Sequence, residues 1–489
     1  MEAFLTILIW AAGIALGVQA FVGLSFFISS IHEKEPRAAF WGFLQFLGML
    51  GLFVLFLVPA AYGFFDSGFG MVILLLVCLF GAIAAVAAMR RTEDNPLALK
   101  GAMGYVVGEA KKIDERDQVF ARNRALRPGS KEYQAYYADH PEKEALDAER
   151  RARGGPIGIP GTIDKPYAEA DVAMLMGSLA MPHHLSAPEM VKPKPHPLIA
   201  EKRKDNRVEL SPEEASVRVK GYVKNIGADL VGIAEISPLW VYSHRGEIFR
   251  DNWEDWGKEI ELSHKYAIVF AEEMSLDLIG PAPHTPTLIE SMNNYAKGAY
   301  VSTQLAAFIA NMGYSATANH LRHYEVILPP LAADAGLGEI GRLGYLLTKE
   351  FGPRVRLSAV TTDLPLVCDK PVDIGVQDFC RICKKCGVCC PSRSIPLDET
   401  PGEHNGCLKW KLDDESCFNY WGKVGTDCNV CMKVCPWGHA RTFPHRLIVW
   451  LISRNWITRR IFSILDDIFY GRKPKPKVAP QWASFKRPE

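Results

Sequence analysis

Eight cysteines between residues 380 and 435 have the spacing of ligands to two iron–sulfur clusters. In chain order they are Cys380, Cys383, Cys386 and Cys390, which precedes Pro391, then Cys417, Cys428, Cys431 and Cys435, which precedes Pro436. Cysteines three positions apart can bind one cubane cluster, and the cysteine before the proline usually binds the other cluster. The spacing predicts two [4Fe-4S] clusters, one on Cys380, Cys383, Cys386 and Cys435 and the other on Cys417, Cys428, Cys431 and Cys390.

Zinc is the main alternative to iron and sulfide at these cysteines. A zinc ion also binds four thiolates, but it usually takes them as two pairs from two knuckles. A triple followed by Cys-Pro favours iron–sulfur clusters instead. Ten residues lie between Cys417 and Cys428, where a simple two-cluster ferredoxin has two, so Cys407 is the competing candidate for that ligand.

The first 90 residues contain three apolar runs, at residues 3–31, 38–65 and 71–89. Each run exceeds or approaches the roughly 20 residues that a helix needs to cross a bilayer, and none contains a charged residue. The basic residues nearest the runs are Lys34, Arg37, Arg90 and Arg91. The three runs predict a multi-pass anchor in the cytoplasmic (inner) membrane. The basic residues follow the first and third runs only, and by the positive-inside rule these ends of the runs lie in the cytoplasm. Membrane lipid is then one partner, and the rest of the chain faces the cytoplasm.

Residues 91–207 form a polar second segment. Residues 109–153 are rich in Glu, Lys, Arg and Ala, which predicts exposed helices or a stalk whose charges lie on a solvated face. Residues 154–166 are rich in Gly and Pro and are predicted to form a loop. The formal net charge of the whole chain is +1, which does not indicate nucleic acid as a partner.

Residues 208–375 are predicted to form a globular core of alternating helices and strands. Ser211-Pro-Glu-Glu supplies an N-cap, a proline at the first helical position and acidic residues for a helix that ends near Asn225. The other predicted elements are strands at 229–236, 266–270 and 355–361 and a helix at 287–312. This alternation predicts an α/β or α+β fold.

Residues 376–445 are predicted to form the cluster domain, and residues 446–489 the tail. An amphipathic helix over 447–469 is predicted to pack on the cluster domain, with the membrane surface as the alternative. The glycine-rich segment 335–342 matches neither a dinucleotide fingerprint nor a P-loop. Gly336 and Gly338 are therefore predicted to let a large cofactor approach the backbone closely.

Five motifs together resemble those of the corrinoid-dependent reductive dehalogenases. They are PPLAADAGLGEIGR at 329–342, FGPRVR at 351–356, TDLP at 362–365, DFC at 378–380 and GTDC at 425–428. The resemblance covers about residues 211–445. It implies a nitroreductase-like core that holds a base-off cobalamin-type corrinoid beside a ferredoxin-like domain with two [4Fe-4S] clusters. It also implies an oxidoreductase that reduces an organohalide with loss of halide.

The resemblance also assigns roles to single residues. A tyrosine that donates a proton to the dehalogenated carbon corresponds to Tyr295, with Tyr300 as the alternative. The cation that assists it corresponds to Arg356, with Arg354 next, because a guanidinium stabilises the phenolate left after proton transfer. Further residues near the implied pocket are Asn319, His320 and His323. Without the resemblance, Tyr295 is a core residue on a helix face and Arg356 a surface or salt-bridge residue.

Two other functions fit parts of the pattern. Epoxyqueuosine reductases share the Pro-Leu-Ala-x2-Ala-Gly-Leu-Gly core, but they are soluble and act on transfer RNA, which fits neither the apolar runs nor the near-neutral charge. A membrane-bound ferredoxin-type electron-transfer subunit does not need an α/β region of roughly 165 residues. The expected substrate is a halogenated organic small molecule, and a ferredoxin, a flavoprotein or a membrane quinol could supply the electrons.

Overall fold

The computed structural model describes residues 2–153, 169–204, 206–247 and 253–483. It divides the chain into two compact units, Met1–Glu93 with His439–Pro474, and Asp94–Gly438 with Lys475–Glu489. The boundaries predicted near residues 207 and 375 therefore fall inside the second unit. The predicted loop at 154–166 lies outside the described residues.

The helices and strands follow one another along both units. The helices are α1 (Glu2–His32), α2 (Pro36–Ala61), α3 (Gly68–Met89), α4 (Val119–Ala125), α5 (Lys131–Asp139), α6 (Pro141–Arg153), α7 (Glu169–Leu185), α8 (Pro188–Val191), α9 (Pro197–Arg203), α10 (Pro212–Asn225), α11 (Leu276–Ile279), α12 (Thr285–Asn311), α13 (Leu328–Asp334), α14 (Val376–Cys383), α15 (Lys385–Cys389), α16 (Asp414–Val424), α17 (Val430–Lys433), α18 (Phe443–Ile452) and α19 (Trp456–Phe469). The strands are β1 (Leu230–Glu235), β2 (Tyr266–Glu273), β3 (Ala316–Asn319), β4 (Glu339–Ile340), β5 (Leu346–Leu347), β6 (Val355–Thr362), β7 (Gly402–His404) and β8 (Cys407–Lys409).

The first unit contains three long apolar helices and the two helices of the tail. By length and composition α1, α2 and α3 could each cross a membrane, as the apolar runs predicted. The tail forms α18 and α19, and it packs on these helices: the rings of Phe26 and Phe469 lie 5.2 Å apart, edge to face. The tail also packs on His439 and His445, which were predicted to belong to the cluster domain: the rings of His439 and Tyr470 stack 3.9 Å apart, and His445 Nε2 lies 2.7 Å from the Tyr470 hydroxyl.

The second unit is built on a four-stranded antiparallel sheet with strand order β1-β2-β6-β3. Alternate residues of β2 point to opposite faces, and both faces are buried. Ile268 and Phe270 pack with α10 and α12, whereas Ala267 and Val269 pack with α13. The result is an antiparallel sheet between two helical layers, an α+β arrangement.

Local sequence accounts well for the elements of this core. Ser211 and Glu214 form a capping box at the start of α10, which ends at Asn225 as predicted. The predicted strands and the predicted long helix correspond to β1, β2, β6 and α12, each within a few residues. The periodicity of the apolar residues was sufficient to find them because each has a fully buried face.

The charged segment that precedes the core is not a solvated stalk, so that prediction was wrong. The side chains of Arg122 in α4 and of Asp147 and Arg150 in α6 are at most 4% exposed. Asp147 accepts hydrogen bonds from both arginines, at 2.9 Å and 3.0 Å. Glu415 from α16 also pairs with both arginines. The charges are buried because two carboxylates neutralise two guanidinium groups.

Replacing Asp147 with alanine is expected to destabilise the protein by about 3–5 kcal/mol, because two buried guanidinium groups lose their shared acceptor. Denaturant unfolding of the full chain in detergent measures the loss. The matched control is Glu149→Ala on the same helix, which removes a carboxylate that is 61% exposed and should cost about 1 kcal/mol or less. Equal losses in the two variants would contradict the buried network.

Candidate active site and cysteine clusters

A cavity of about 480 Å³ lies in the second unit beside β6 and α12. Its walls are mainly apolar and aromatic, with a few charged side chains. Residues that line it include Phe120, Arg124, Leu175, Tyr242, Met292, Tyr295, Tyr324, Tyr345, Arg356, Phe418, Trp421 and Asp427. Both the volume and the mix of apolar walls with few polar groups are typical of sites that bind small molecules or cofactors.

Tyr295 and Arg356 both line this cavity and lie next to each other. The Arg356 guanidinium carbon lies 5.1 Å from the centre of the Tyr295 ring, within the range of a cation–π contact. Arg356 Nη2 donates to Ser291 Oγ at 2.6 Å and to Asp427 Oδ2 at 3.0 Å. The alternative donor, Tyr300, is 40% exposed and does not line the cavity. Of the two tyrosines, Tyr295 is therefore the one in position to act on a bound molecule.

Arg356 keeps its positive charge despite its burial. Burial lowers the pKa of its guanidinium, but Tyr295 and Asp427 more than offset this effect, so the pKa is raised. Burial also raises the pKa of Tyr324 and of Tyr345 well above the usual range. These two phenols therefore stay neutral at physiological pH. The cavity thus presents the Arg356 cation among tyrosine side chains.

Asn319 is fully buried but does not line the cavity. Its side chain accepts a hydrogen bond from the backbone N–H of Glu325 at 2.7 Å and donates to Thr317 O, so it fixes the chain after β3. His320 and His323 also lie away from the cavity wall. Burial lowers the pKa of His320 to about 4 and that of His323 below its usual value, so both imidazoles are neutral.

Arg354 does not reach the cavity either. It is 1% exposed, and its Nε donates to Gly438 O at 2.6 Å. Its Nη1 donates to Glu273 Oε1 at 3.0 Å and also to Met274 O. These contacts join β2, β6 and the segment after the last cysteine, which makes Arg354 a structural residue.

Gly336 and Gly338 are needed for packing against the protein's own backbone. A Cβ at Gly336 would lie 2.4 Å from Lys370 O, and one at Gly338 would lie 2.0 Å from Leu347 O. Gly336 also has φ +74°, which favours glycine. Neither glycine lines the cavity. These close approaches are made by neighbouring segments of the chain, and contact of the glycines with a cofactor stays a prediction.

The structure brings the eight cysteines together in two sets of four. Cys435 lies close enough to Cys380, Cys383 and Cys386, and Cys431 close enough to Cys390, Cys417 and Cys428, for these neighbours to raise the pKa of the thiol. Burial is the larger cause of the raised pKa in both thiols, and the neighbouring cysteines add to it. Because metal-binding cysteines must lose their protons, these thiols are set to release protons on binding a cation. The two sets have the membership that the spacing predicts.

Cys417, and not Cys407, lies with the second set. Cys390 and Cys417 line one small cavity together with Cys428 and Cys431. Burial and the neighbouring Cys390 raise the pKa of Cys417 to about 12. Cys407 lies in β8 and packs in the apolar cluster that covers one face of the sheet. Of the two candidates for the eighth ligand, the geometry favours Cys417.

Zinc is the alternative to iron–sulfur clusters at these thiols. A zinc ion brings its sulfur ligands to about 2.3 Å, which requires them to converge on one point. Within the described ranges, no group of three or more His, Cys, Asp or Glu side chains is arranged to hold a single metal ion. Each cysteine set is close enough for its members to act on one another's pKa.

Three side chains form a wall shared by the large cavity and the second cysteine set. Tyr345, Trp421 and Asp427 line both the large cavity and the small cavity between Cys390, Cys417, Cys428 and Cys431. A molecule bound in the large cavity would therefore be separated from these cysteines by single side chains.

The sequence reasoning missed several residues of the cavity. Gln118, Phe120 and Arg124 come from the segment that was predicted to be a stalk. Asp427 belongs to the GTDC motif at 425–428. Its position directly before Cys428 was the signal that could have placed it in the site. Tyr324 and Tyr345 carried no such signal, because only the folded chain brings them to Arg356.

Comparisons with known proteins find reductive dehalogenases by both sequence and structure. No family model matches the chain. A tetrachloroethene reductive dehalogenase of Desulfitobacterium hafniense is 34% identical over 277 residues, which are 48% of this chain and 50% of that protein. The enzyme of the same name from Sulfurospirillum multivorans is 33% identical over 292 residues, covering 54% and 58%. The chain thus spans about half the length of these curated relatives.

A solved structure gives the same result. A catabolic reductive dehalogenase in complex with 3-bromo-4-hydroxybenzoic acid has a TM-score of 0.58 and 25% identity, covering 82% of this chain and 54% of that one. An epoxyqueuosine reductase of Cyclobacterium marinum is 31% identical, but over only 121 residues, 24% of this chain. The resemblance predicted from the motifs is confirmed: this chain is similar to reductive dehalogenases in both sequence and fold.

Proposed function

We propose that this protein is a membrane-anchored reductive dehalogenase that removes halide from an organohalide. The overall reaction takes two electrons and one proton, replaces the carbon–halogen bond with a carbon–hydrogen bond and releases the halide ion. The observation that carries the proposal is the Tyr295–Arg356 pair, which faces a cavity whose wall is shared with four cysteines. A proton donor and an electron source would thus both adjoin one binding site.

The cysteines are proposed to hold two [4Fe-4S] clusters in the two sets described above. A base-off corrinoid in the large cavity would supply the low-valent cobalt that cleaves the carbon–halogen bond. The apolar and aromatic walls of the cavity fit the flat face of a macrocycle. The nitroreductase-like and ferredoxin-like descriptions of the two regions are part of this proposal.

The protein's own residues provide the proton and its control. Tyr295 donates its phenolic proton to the carbon that loses the halide, and Arg356 stabilises the phenolate that remains. Asp427 and Ser291 hold the guanidinium in place through one edge. The apolar side chains around the pair keep water away, which strengthens the attraction between guanidinium and phenolate.

The cavity is also not expected in a protein that only carries electrons. A carrier needs its clusters near the surface and has no use for a buried tyrosine–arginine pair in a separate apolar cavity. The side chains of Tyr324, Tyr345 and Arg356 converge there from three parts of the second unit. A halogenated small molecule with an apolar body fits these walls, and the electron donor stays unassigned.

Replacing Tyr295 with phenylalanine is expected to lower kcat for dehalogenation by about 10²–10⁴-fold, the usual contribution of a general acid. The substitution removes one oxygen and keeps the ring beside Arg356, so iron and corrinoid content should not change. Halide release with a reduced dye as donor measures the rate. Tyr300→Phe is the matched control on the same helix and should retain full activity; full activity in Tyr295→Phe would refute the assignment.

Replacing Cys417 with serine is expected to lower the iron content of anaerobically reconstituted protein from about eight to about four atoms per chain, because one of two [4Fe-4S] clusters loses a ligand. Cys407→Ser should retain all the iron. Iron analysis and the paramagnetic resonance spectrum of the reduced protein measure the outcome. If only the Cys407 variant lost iron, Cys407 would be the ligand and Cys417 would not.

The membrane anchor is proposed to be α1, α2 and α3, with the second unit on the cytoplasmic side of the inner membrane. Basic residues follow α1 and α3 but not α2, which supports this orientation. An alkaline phosphatase fused after Glu489 is therefore expected to be inactive, and a fluorescent protein fused there to be bright. The reverse pattern would overturn the orientation and leave the fold unaffected.

A further inference from the structure

Helix α19 in the first unit buries three of its polar side chains and exposes three of its isoleucines. Thr458, Arg459 and Asp466 are at most 8% exposed. Ile461, Ile464 and Ile468 are 48%, 63% and 37% exposed. These isoleucines lie on one face of the helix, because residues three, four and seven positions apart share a face. In a water-soluble protein the apolar face of such a helix is turned to the core.

The buried polar side chains of α19 have specific partners within the first unit. Asp466 Oδ1 pairs with His439 Nε2 at 2.7 Å, and Arg459 Nε donates to Ile452 O at 2.8 Å. Thr458 Oγ1 donates to Leu451 O at 2.8 Å. These bonds fix the rotation of the helix, so the isoleucines are held outward.

The tail is tied to the ends of all three apolar helices. Asn455 Nδ2 donates to Ala87 O and Arg90 O at the end of α3, at 2.6 Å and 2.8 Å. Arg37 Nε, at the start of α2, donates to Ile468 O at 2.9 Å. The end of α1, the start of α2 and the end of α3 lie on the same side of any bilayer that the three helices cross. These bonds therefore hold both ends of α19 at the level where the helices leave the bilayer.

Charge and aromatic residues of the tail also suit a lipid surface. Basic residues outnumber acidic ones over 442–474, with Arg446, Arg454, Arg459, Arg460, Arg472 and Lys473 against Asp466 and Asp467. Trp456 is 47% exposed, and the Arg460 guanidinium lies 4.8 Å from its ring centre. Tryptophan and arginine together at the end of an amphipathic helix are typical of the membrane interface.

We propose that α19 lies in the membrane interface, with Ile461, Ile464 and Ile468 among the lipid acyl chains and the nearby arginines at anionic headgroups. The inference rests on the membrane anchoring proposed for α1–α3, but not on dehalogenation. The tail thus makes a membrane contact in addition to that of α1–α3. This contact holds the part of the chain after the cysteines at the bilayer surface.

Lipid photo-cross-linking tests this contact in the full-length protein. The chain is reconstituted in vesicles of phosphatidylcholine and phosphatidylglycerol that contain a lipid with a photoreactive acyl chain, and adducts are mapped by mass spectrometry. Adducts are expected on residues 456–468 as well as on α1–α3. Ile464→Glu should lower the adducts on this peptide at least about fivefold, since a charge opposes burial in the acyl region.

The control is Val217→Glu in α10 of the second unit, a residue that is 72% exposed and should leave the labelling unchanged. Adducts on α1–α3 without any on 456–468 would overturn the inference and leave the anchor intact. Cross-links between two copies of 456–468 in place of lipid adducts would also overturn it. An absence of adducts on all these helices would refute the anchor itself.

Discussion

The ion pair between Arg356 and Asp427 sets the position of the candidate active site relative to the second cysteine set. Arg356 comes from the central strand β6, and Asp427 directly precedes Cys428. Their side chains are 12% and 4% exposed, and Ser291 from α12 bonds to both. A buried charge left without its partner costs several kcal/mol, so strand, helix and cysteine loop are held in one arrangement. The pair that carries the proposed proton chemistry therefore cannot move independently of a proposed cluster ligand.

Because Arg356 is held in this way, its guanidinium can both pair with Asp427 and lie beside Tyr295. Asp427 occupies one edge of the Arg356 guanidinium, while the face of the same group lies over Tyr295. The neighbouring Tyr324 and Tyr345 are neutral because burial raises the pKa of each. No second phenolate then competes for the cation, so its charge is available to the Tyr295 oxygen during proton transfer. Tyr345 meanwhile lines the wall that the cavity shares with the cysteines, so the proposed path for electrons would be short.

The sequence was sufficient for the parts of the molecule that depend on local pattern or on a combination of motifs. Apolar periodicity located α12 and β6, the capping box located α10, and the cysteine spacing gave the same two sets that the fold assembles. It was insufficient where long-range contacts decide a residue's surroundings. Arg354 belongs to the same motif as Arg356, but its side chain donates to Gly438 O. Gly336 packs against Lys370 O. Neither partner can be read from neighbouring residues.

Two helices show why polarity alone does not predict which face of a helix is buried. In α6, Asp147 and Arg150 point inward because each finds an opposite charge there, so a highly charged helix contributes to the core. In α19, polar residues point inward because they bond to His439 and to backbone carbonyls, but the isoleucines are left outside. Exposed isoleucines are costly in water and favourable in lipid. The same inward pairing therefore leads to different conclusions: α6 needs only its protein partners, whereas α19 also needs an apolar medium on its outer face.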